Sequence, residues 1–228
     1  MTRAPLALVR LLQLASPALP IGAYSYSQGL EWMAQSGVVR DAAAMQGWID
    51  DLLHHVMATG EAPVLWRLLI AIDTGDHRAF VEWNAWFRSS REGAELRAET
   101  LQTGGSLVKL LVDLDVLDDG AREVIAAAAP VTLPAAFALA VRAWAIPLDD
   151  AVTAYLWSWL ENQVLAMLKA MAVGQVAGQR MLLALGTAIP AIVVRSRAVV
   201  ADDITSFAPG LAIASARHET QYSRLFRS

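Results

Sequence analysis

Apolar residues recur every three to four positions along nearly the whole chain, and a chain patterned this way can bury them only as amphipathic helices. Met45, Trp48, Ile49, Leu52, Leu53 and Val56 share one helix face, with Asp41 ahead of them as an N-cap. Val64, Leu65, Leu68, Leu69 and Ile72 repeat the pattern beyond Pro63, which reads as a break between two helices. Phe80, Trp83 and Phe87 form a third stripe, with His77 at its start. The longest stripe runs from Val152 to Met171, behind Asp149 and Asp150. No alternating strand pattern lies between them. Turns are expected at Thr74-Gly75-Asp76, Gly104-Gly105, Asp119-Gly120, Pro147 and Pro209-Gly210. The expectation is an all-α fold without a sheet, a single-domain helical bundle over 1–228. It carries an irregular N-terminal motif segment, 1–31, and a C-terminal partner-binding tail, 206–228.

Of the 228 residues, 56% are apolar. Such a chain either crosses a membrane or buries an unusual share of its helices. A spanning helix needs about 20 apolar residues. The longest uncharged run, Val124 to Val141, is interrupted by Pro130 and Pro134, and the run Met181 to Val194 is shorter and contains Pro190. The reading is therefore burial, some of it against partners, with no membrane and no signal peptide. The chain has no cysteine, which excludes disulfides, thiolate metal sites and cysteine nucleophiles. A cytoplasmic location fits. A net charge of −4 argues against nucleic acid as a partner.

The chemistry of a catalyst is missing. Gly104-Gly105-Ser106-Leu107-Val108-Lys109 has the wrong spacing for a phosphate-binding loop. His218-Glu219-Thr220-Gln221-Tyr222 lacks the second histidine of a zinc-protease motif. Asp50, Asp51, His54 and His55 sit at i, i+4 on a polar helix face. They read as ordinary pairing on a solvated surface rather than as a metal centre. No catalytic residue, resident metal or cofactor is expected.

Three stretches depart from bundle sequence. From Leu11 to Glu31 a short helix meets Pro17, Pro20 and Gly22, then Tyr24, Ser25, Tyr26, Ser27, Gln28 and Gly29. The tyrosines suit recognition by a rigid loop, and they equally suit anchoring that loop to the core. In Gly174-Gln175-Val176-Ala177-Gly178-Gln179 the glycines lie one turn apart, as do Gln175 and Gln179. On a helix they open a groove for another backbone, from a partner or from the same domain. The tail from Ala214 to Ser228 packs His218, Glu219, Tyr222, Arg224, Leu225 and Phe226 close together, either to bind a partner or to dock on its own domain.

Together these stretches resemble the UreF family of urease accessory proteins. Leu11 to Glu31 matches its N-terminal pattern, and Lys169 to Gln179 its glycine–glutamine helix. His218 to Ser228 matches its H-E-x-x-x-S-R-L-F-x-S ending, and Glu92 to Arg97 its E-x-x-E-L-R segment. Ala172 stands where the family often has proline. The resemblance implies a non-catalytic, cytoplasmic nickel-insertion chaperone that forms homodimers. It implies binding to UreD, also called UreH, recruitment of the GTPase UreG, and docking on the urease apoprotein. The alternative is a structural helical subunit of another assembly. The resemblance points to Tyr24, Tyr26, Gln28, Glu31, Gly174, Gln175, Gln179, His218, Glu219, Tyr222, Arg224, Leu225 and Phe226 as partner-binding residues. The recognition-type residues at both ends suggest that the Tyr24 loop and the Arg224 tail lie against each other as one partner-facing surface, with the guanidinium stacked on a tyrosine; the resemblance implies that this surface serves the GTPase.

Overall fold

Two segments, Ala62–Thr74 and Leu133–Ala143, are apolar on nearly every side, and helices of that kind have to lie inside. The computed structural model describes residues 3–171 and 173–227, so the Ala172 position and Ser228 lie outside the described residues. Among these the chain forms α1 (Arg3–Ala15), α2 (Leu30–Gln35), α3 (Ala42–Leu52), α4 (Ala62–Thr74), α5 (His77–Ser89) and α6 (Ala94–Asp113). It continues through α7 (Asp119–Ala128), α8 (Leu133–Ala143), α9 (Leu148–Ala170), α10 (Gln175–Gly186), α11 (Ile189–Ala198) and α12 (Pro209–Glu219), with no strand. The all-α expectation is met.

Helix α4 packs on α5, α8, α9 and α11, and α8 packs on α4 and α6. All residues of α8 from Pro134 to Val141 are buried, as is Trp66 of α4, whose indole N–H donates to Ser196 Oγ at 3.2 Å. The long helix α9 carries α1, α2, α10 and α11 along its sides, and α12 lies on α2 and α6. The buried apolar side chains merge into one large cluster, with a small second one of Leu52, Val56, Leu96 and Leu211 beneath α12. No single helix among the described residues is long and apolar enough to cross a membrane. Helices α10 and α11 pass that test of length and composition only as a pair, bent by 40°.

Local rules place most helix starts where the sequence reading has them. Asp41 caps α3 by accepting the Ala44 N–H at 2.8 Å, and Asp76 caps α5 by accepting the Ala79 N–H at 3.0 Å. Gly75 ends α4 in the left-handed conformation.

Two expected breaks are absent. The chain does not break before Pro63; α3 continues through a π-helical stretch, Leu53–Glu61, directly into α4. The wider turn lets the Ala62 N–H reach back to the Met57 carbonyl. Pro63 has no N–H to give Thr59, and the Thr59 carbonyl instead accepts the N–H of Thr205 at 3.1 Å. The Gly104-Gly105 pair is no turn either, but lies inside α6. A Cβ on Gly104 would stand 2.5 Å from the Val131 carbonyl oxygen, so the glycine permits close packing of the loop before α8.

The same logic applies at Gly60, where a Cβ would stand 2.6 Å from the Thr205 carbonyl oxygen. Alanine gains up to ~1 kcal/mol over glycine in a helix, whereas overpacking against backbone costs about 1–3 kcal/mol. Gly60→Ala is therefore expected to lower stability on balance. Urea unfolding checks this, and a midpoint at or above wild type would refute it.

Candidate partner-binding surface

The N-terminal motif owes its shape to two backbone reversals. Gly22, at φ +78°, turns the chain into a single 3-10 turn, Ala23–Ser25. Gln28 and Gly29 then both take positive φ ahead of α2. Gly29 is doubly constrained, because a Cβ there would also stand 2.9 Å from Ala214 of α12. The side chains of this segment divide between surface and interior. Tyr24 is 58% exposed. Tyr26 is buried, its hydroxyl donating to the Gln102 side chain and its carbonyl accepting from Asn162 Nδ2 at 3.2 Å. Gln28 donates to Glu99 Oε1 and accepts the Trp159 indole N–H, both at 3.0 Å. Glu31, on α2, is completely buried.

The C-terminal motif closes over these residues. His218, at the end of α12, is completely buried between two carboxylates. Its Nδ1 lies 2.8 Å from Glu95 Oε2 and its Nε2 lies 3.2 Å from Glu31 Oε2. Glu219 accepts the Ala94 N–H at 3.0 Å and so caps α6, whose own N-cap, Gly93, has no side chain to do so. Beyond the helix, the N–H groups of Leu225 and Phe226 donate to Glu31 at 2.8 and 3.0 Å. Arg224 donates to Glu95 Oε1 at 2.9 Å, and the Arg227 N–H donates to the Ser25 carbonyl at 2.7 Å.

The two ends of the chain thus meet, but not through the expected stack. The Arg224 guanidinium is held by Glu95, a largely buried carboxylate in the first turn of α6 that needs donors. The cation beside Tyr24 is instead Lys169 of α9. Its Nζ lies 5.6 Å from the ring centroids of both Tyr24 and Phe226. Tyr24, Ser25, Lys169, Leu225, Phe226 and Arg227 line an open cleft. Next to it Tyr222 is fully exposed and Leu225 is 68% exposed. Within the motifs, then, Tyr24, Tyr222 and Leu225 face outward, while Tyr26, Gln28, Glu31, His218 and Phe226 face inward.

The glycine–glutamine stretch corrects a further expectation. Gly174 is the N-cap of α10 and not part of it, and no atom lies within 4 Å of where its Cβ would be. Only at Gly178 would a Cβ be crowded, standing 2.9 Å from Leu168 Cδ1, and that close approach is within this chain. Gln175 and Gln179 are exposed but flank no groove between the two glycines.

Sequence reasoning missed a buried polar network behind the loop. Glu61, in the π-helical stretch, accepts from both Arg91 and the Tyr155 hydroxyl. With Glu99 and Gln28 these residues border a cavity of ≈ 90 Å³ that also reaches Leu14, Phe137 and Asn162. Glu99 Oε2 and Arg91 Nε make no hydrogen bond to protein there. The available clue was a carboxylate, Glu61, set within an otherwise apolar run. Burial pushes the Tyr155 hydroxyl well up, with the Glu61 charge adding to it. Burial likewise raises the Glu99 carboxyl to about 7, against the hydrogen bond from Gln28. Among the described residues no group of three or more His, Cys, Asp or Glu is arranged to hold a metal ion.

The raised Glu99 value has a definite sign. The folded state takes up the Glu99 proton more readily than the unfolded state, so its contribution is fully present below about pH 4.5 and is lost as pH rises through about 7. Glu99→Gln is expected to flatten this part of the profile and to gain stability relative to wild type between pH 5 and pH 8. Denaturant titrations across that range check it; parallel curves for the two proteins would show that Glu99 is not the group responsible.

Comparison with known proteins identifies the family. The family model described as UreF matches residues 39–186. Urease accessory protein UreF of Azoarcus sp. (strain BH72) is 52% identical over 225 residues, covering 98% of this chain and 96% of the relative. Its counterpart in Dechloromonas aromatica (strain RCB) is 50% identical over 224 residues, covering 98% of each. The bifunctional urease accessory protein UreEF of Bordetella bronchiseptica is 49% identical over 225 residues, which is 97% of this chain and 52% of that longer protein. The two full-length matches extend beyond the family model to both ends, where the loop and tail lie. The chain belongs to the UreF family of urease accessory proteins.

Proposed function

We propose that this protein is a nickel-insertion chaperone in the cytoplasm that acts by binding and not by catalysis. As a homodimer it holds UreD, also called UreH, and with it recruits the GTPase UreG to the urease apoprotein. The observation that carries this reading is the surface formed by both ends of the chain. There Tyr24, Tyr222 and Leu225 stand exposed beside Lys169 and Arg227, on a backbone fixed by buried hydrogen bonds. Aromatic and arginine side chains on a preorganised frame are what strong protein contacts use. The fold also leaves apolar side chains outward on two other faces. Leu6, Leu8, Val9 and Leu12 project from α1, and Val176, Leu183 and Val194 from α10 and α11. A protein that meets UreD and a second copy of itself needs such faces. The bifunctional relative, which combines accessory functions in one longer chain, is in keeping with close cooperation between such factors.

Tyr222→Ala combined with Leu225→Ser tests the assignment, because neither side chain supports the core. The GTPase is expected to bind the complex with UreD at least about tenfold more weakly, equivalent to ~1.4 kcal/mol. Nickel content of urease should fall with it, while the melting temperature and UreD binding stay at wild-type values. Undiminished GTPase capture would refute the assignment of this surface.

A further inference from the structure

Residues 220–227, beyond α12, contain no helix, yet they lie against the body of the domain. One buried side chain accounts for much of that placement. Glu31 receives the Leu225 N–H at 2.8 Å on Oε1 and 3.1 Å on Oε2, and the Phe226 N–H at 3.0 Å on Oε2. It also meets His218 Nε2 at 3.2 Å and the Gln35 side-chain amide at 3.0 Å. The strap's other ties are Arg224 on Glu95, the Arg227 N–H on the Ser25 carbonyl, the Arg227 guanidinium on Gln102, and the buried Phe226 ring.

A carboxylate with no access to water must be surrounded by donors. Here two of those donors are backbone N–H groups of a segment that has no other backbone partner for them. Charge and strap therefore depend on one another. With the strap in place Glu31 is satisfied; with the strap lifted, Glu31 needs water. Two successive N–H groups read the carboxylate directly, so the strap is oriented by backbone geometry and not by the identity of its side chains. Tyr222 and Leu225 stay free to face outward.

We propose that Glu31 is the positioning residue of the C-terminal strap: its buried carboxylate fixes the Leu225–Phe226 backbone and thereby sets the exposed Tyr222 and Leu225 in their partner-facing arrangement. The identity of that partner as the GTPase rests on the function proposed above; the positioning itself does not.

Glu31→Gln keeps the size of the side chain but replaces one acceptor oxygen by a donor that faces other donors. In the full-length protein, amide hydrogen exchange of Leu225 and Phe226 is expected to accelerate at least about tenfold, while Leu160 in α9 keeps its protection. The amide proton resonances of Leu225 and Phe226, shifted by the carboxylate in wild type, should move toward solvent-exposed values. The cysteine-free chain also accepts a labelled pair, Val38→Cys with Ser223→Cys, whose narrow distance distribution should broaden in the variant. Leu225→Pro supplies a second route, because it removes one N–H and leaves Glu31 and the core intact; the Phe226 amide should again lose protection. Unchanged protection of Leu225 and Phe226 in Glu31→Gln, or of Phe226 in Leu225→Pro, overturns the proposal. So does loss of protection at Leu160 in step with the strap, which would make Glu31 a support of the core. If the strap loosens while the GTPase is still captured at wild-type strength, the positioning role stands and the GTPase surface is placed wrongly.

Discussion

A carboxylate removed from water must find donors, and Glu31 finds them at the far end of the chain. Leu225 and Phe226 lie 194 and 195 residues away from it in sequence, and His218 lies 187 away. Closing contacts of such separation costs chain entropy, which local helix formation does not offset. What offsets it is the strength of hydrogen bonds to a charge at a buried site. Glu31 thereby joins α2 to the end of α12 and to the strap, alongside the packing of α12 on α2 and α6 and the pairing of Arg224 with Glu95.

The same constraint shapes the neighbouring interior. Glu61 is held in the π-helical stretch and satisfied by Arg91 and Tyr155, which come from the end of α5 and from α9. The stretch also frees the Thr59 carbonyl for the segment that leads into α12. One irregular turn thus supplies a buried charge on one side and a docking point on the other. A side chain at Gly60 would collide with that segment, as one at Gly29 would with α12.

This arrangement gives the motif residues two kinds of task. Most of the motif residues hold one another. The histidine, the buried glutamates and Gln28 form a frame, and the outward side chains are few. A frame of this kind lowers the ordering cost of partner binding, so a small surface suffices.

The helical content, the cap at Asp41, the turn at Thr74-Gly75-Asp76 and the helix start at His77 were legible in the sequence because each depends on residues a few positions apart. The motif stretches and the family likeness were legible too. Tertiary structure alone decided that Pro63 lies within a continuous rod, that Gly104 lies inside a helix, and that Arg224 turns to Glu95 rather than to Tyr24. It also decided which motif residues face inward and brought Glu61, Glu99 and Tyr155 together. The physical reason is range. A helical period and a cap are set by neighbours within one or two turns, whereas the long-range partners described for Glu95, Thr59 and Glu31 lie 123 to 195 residues away.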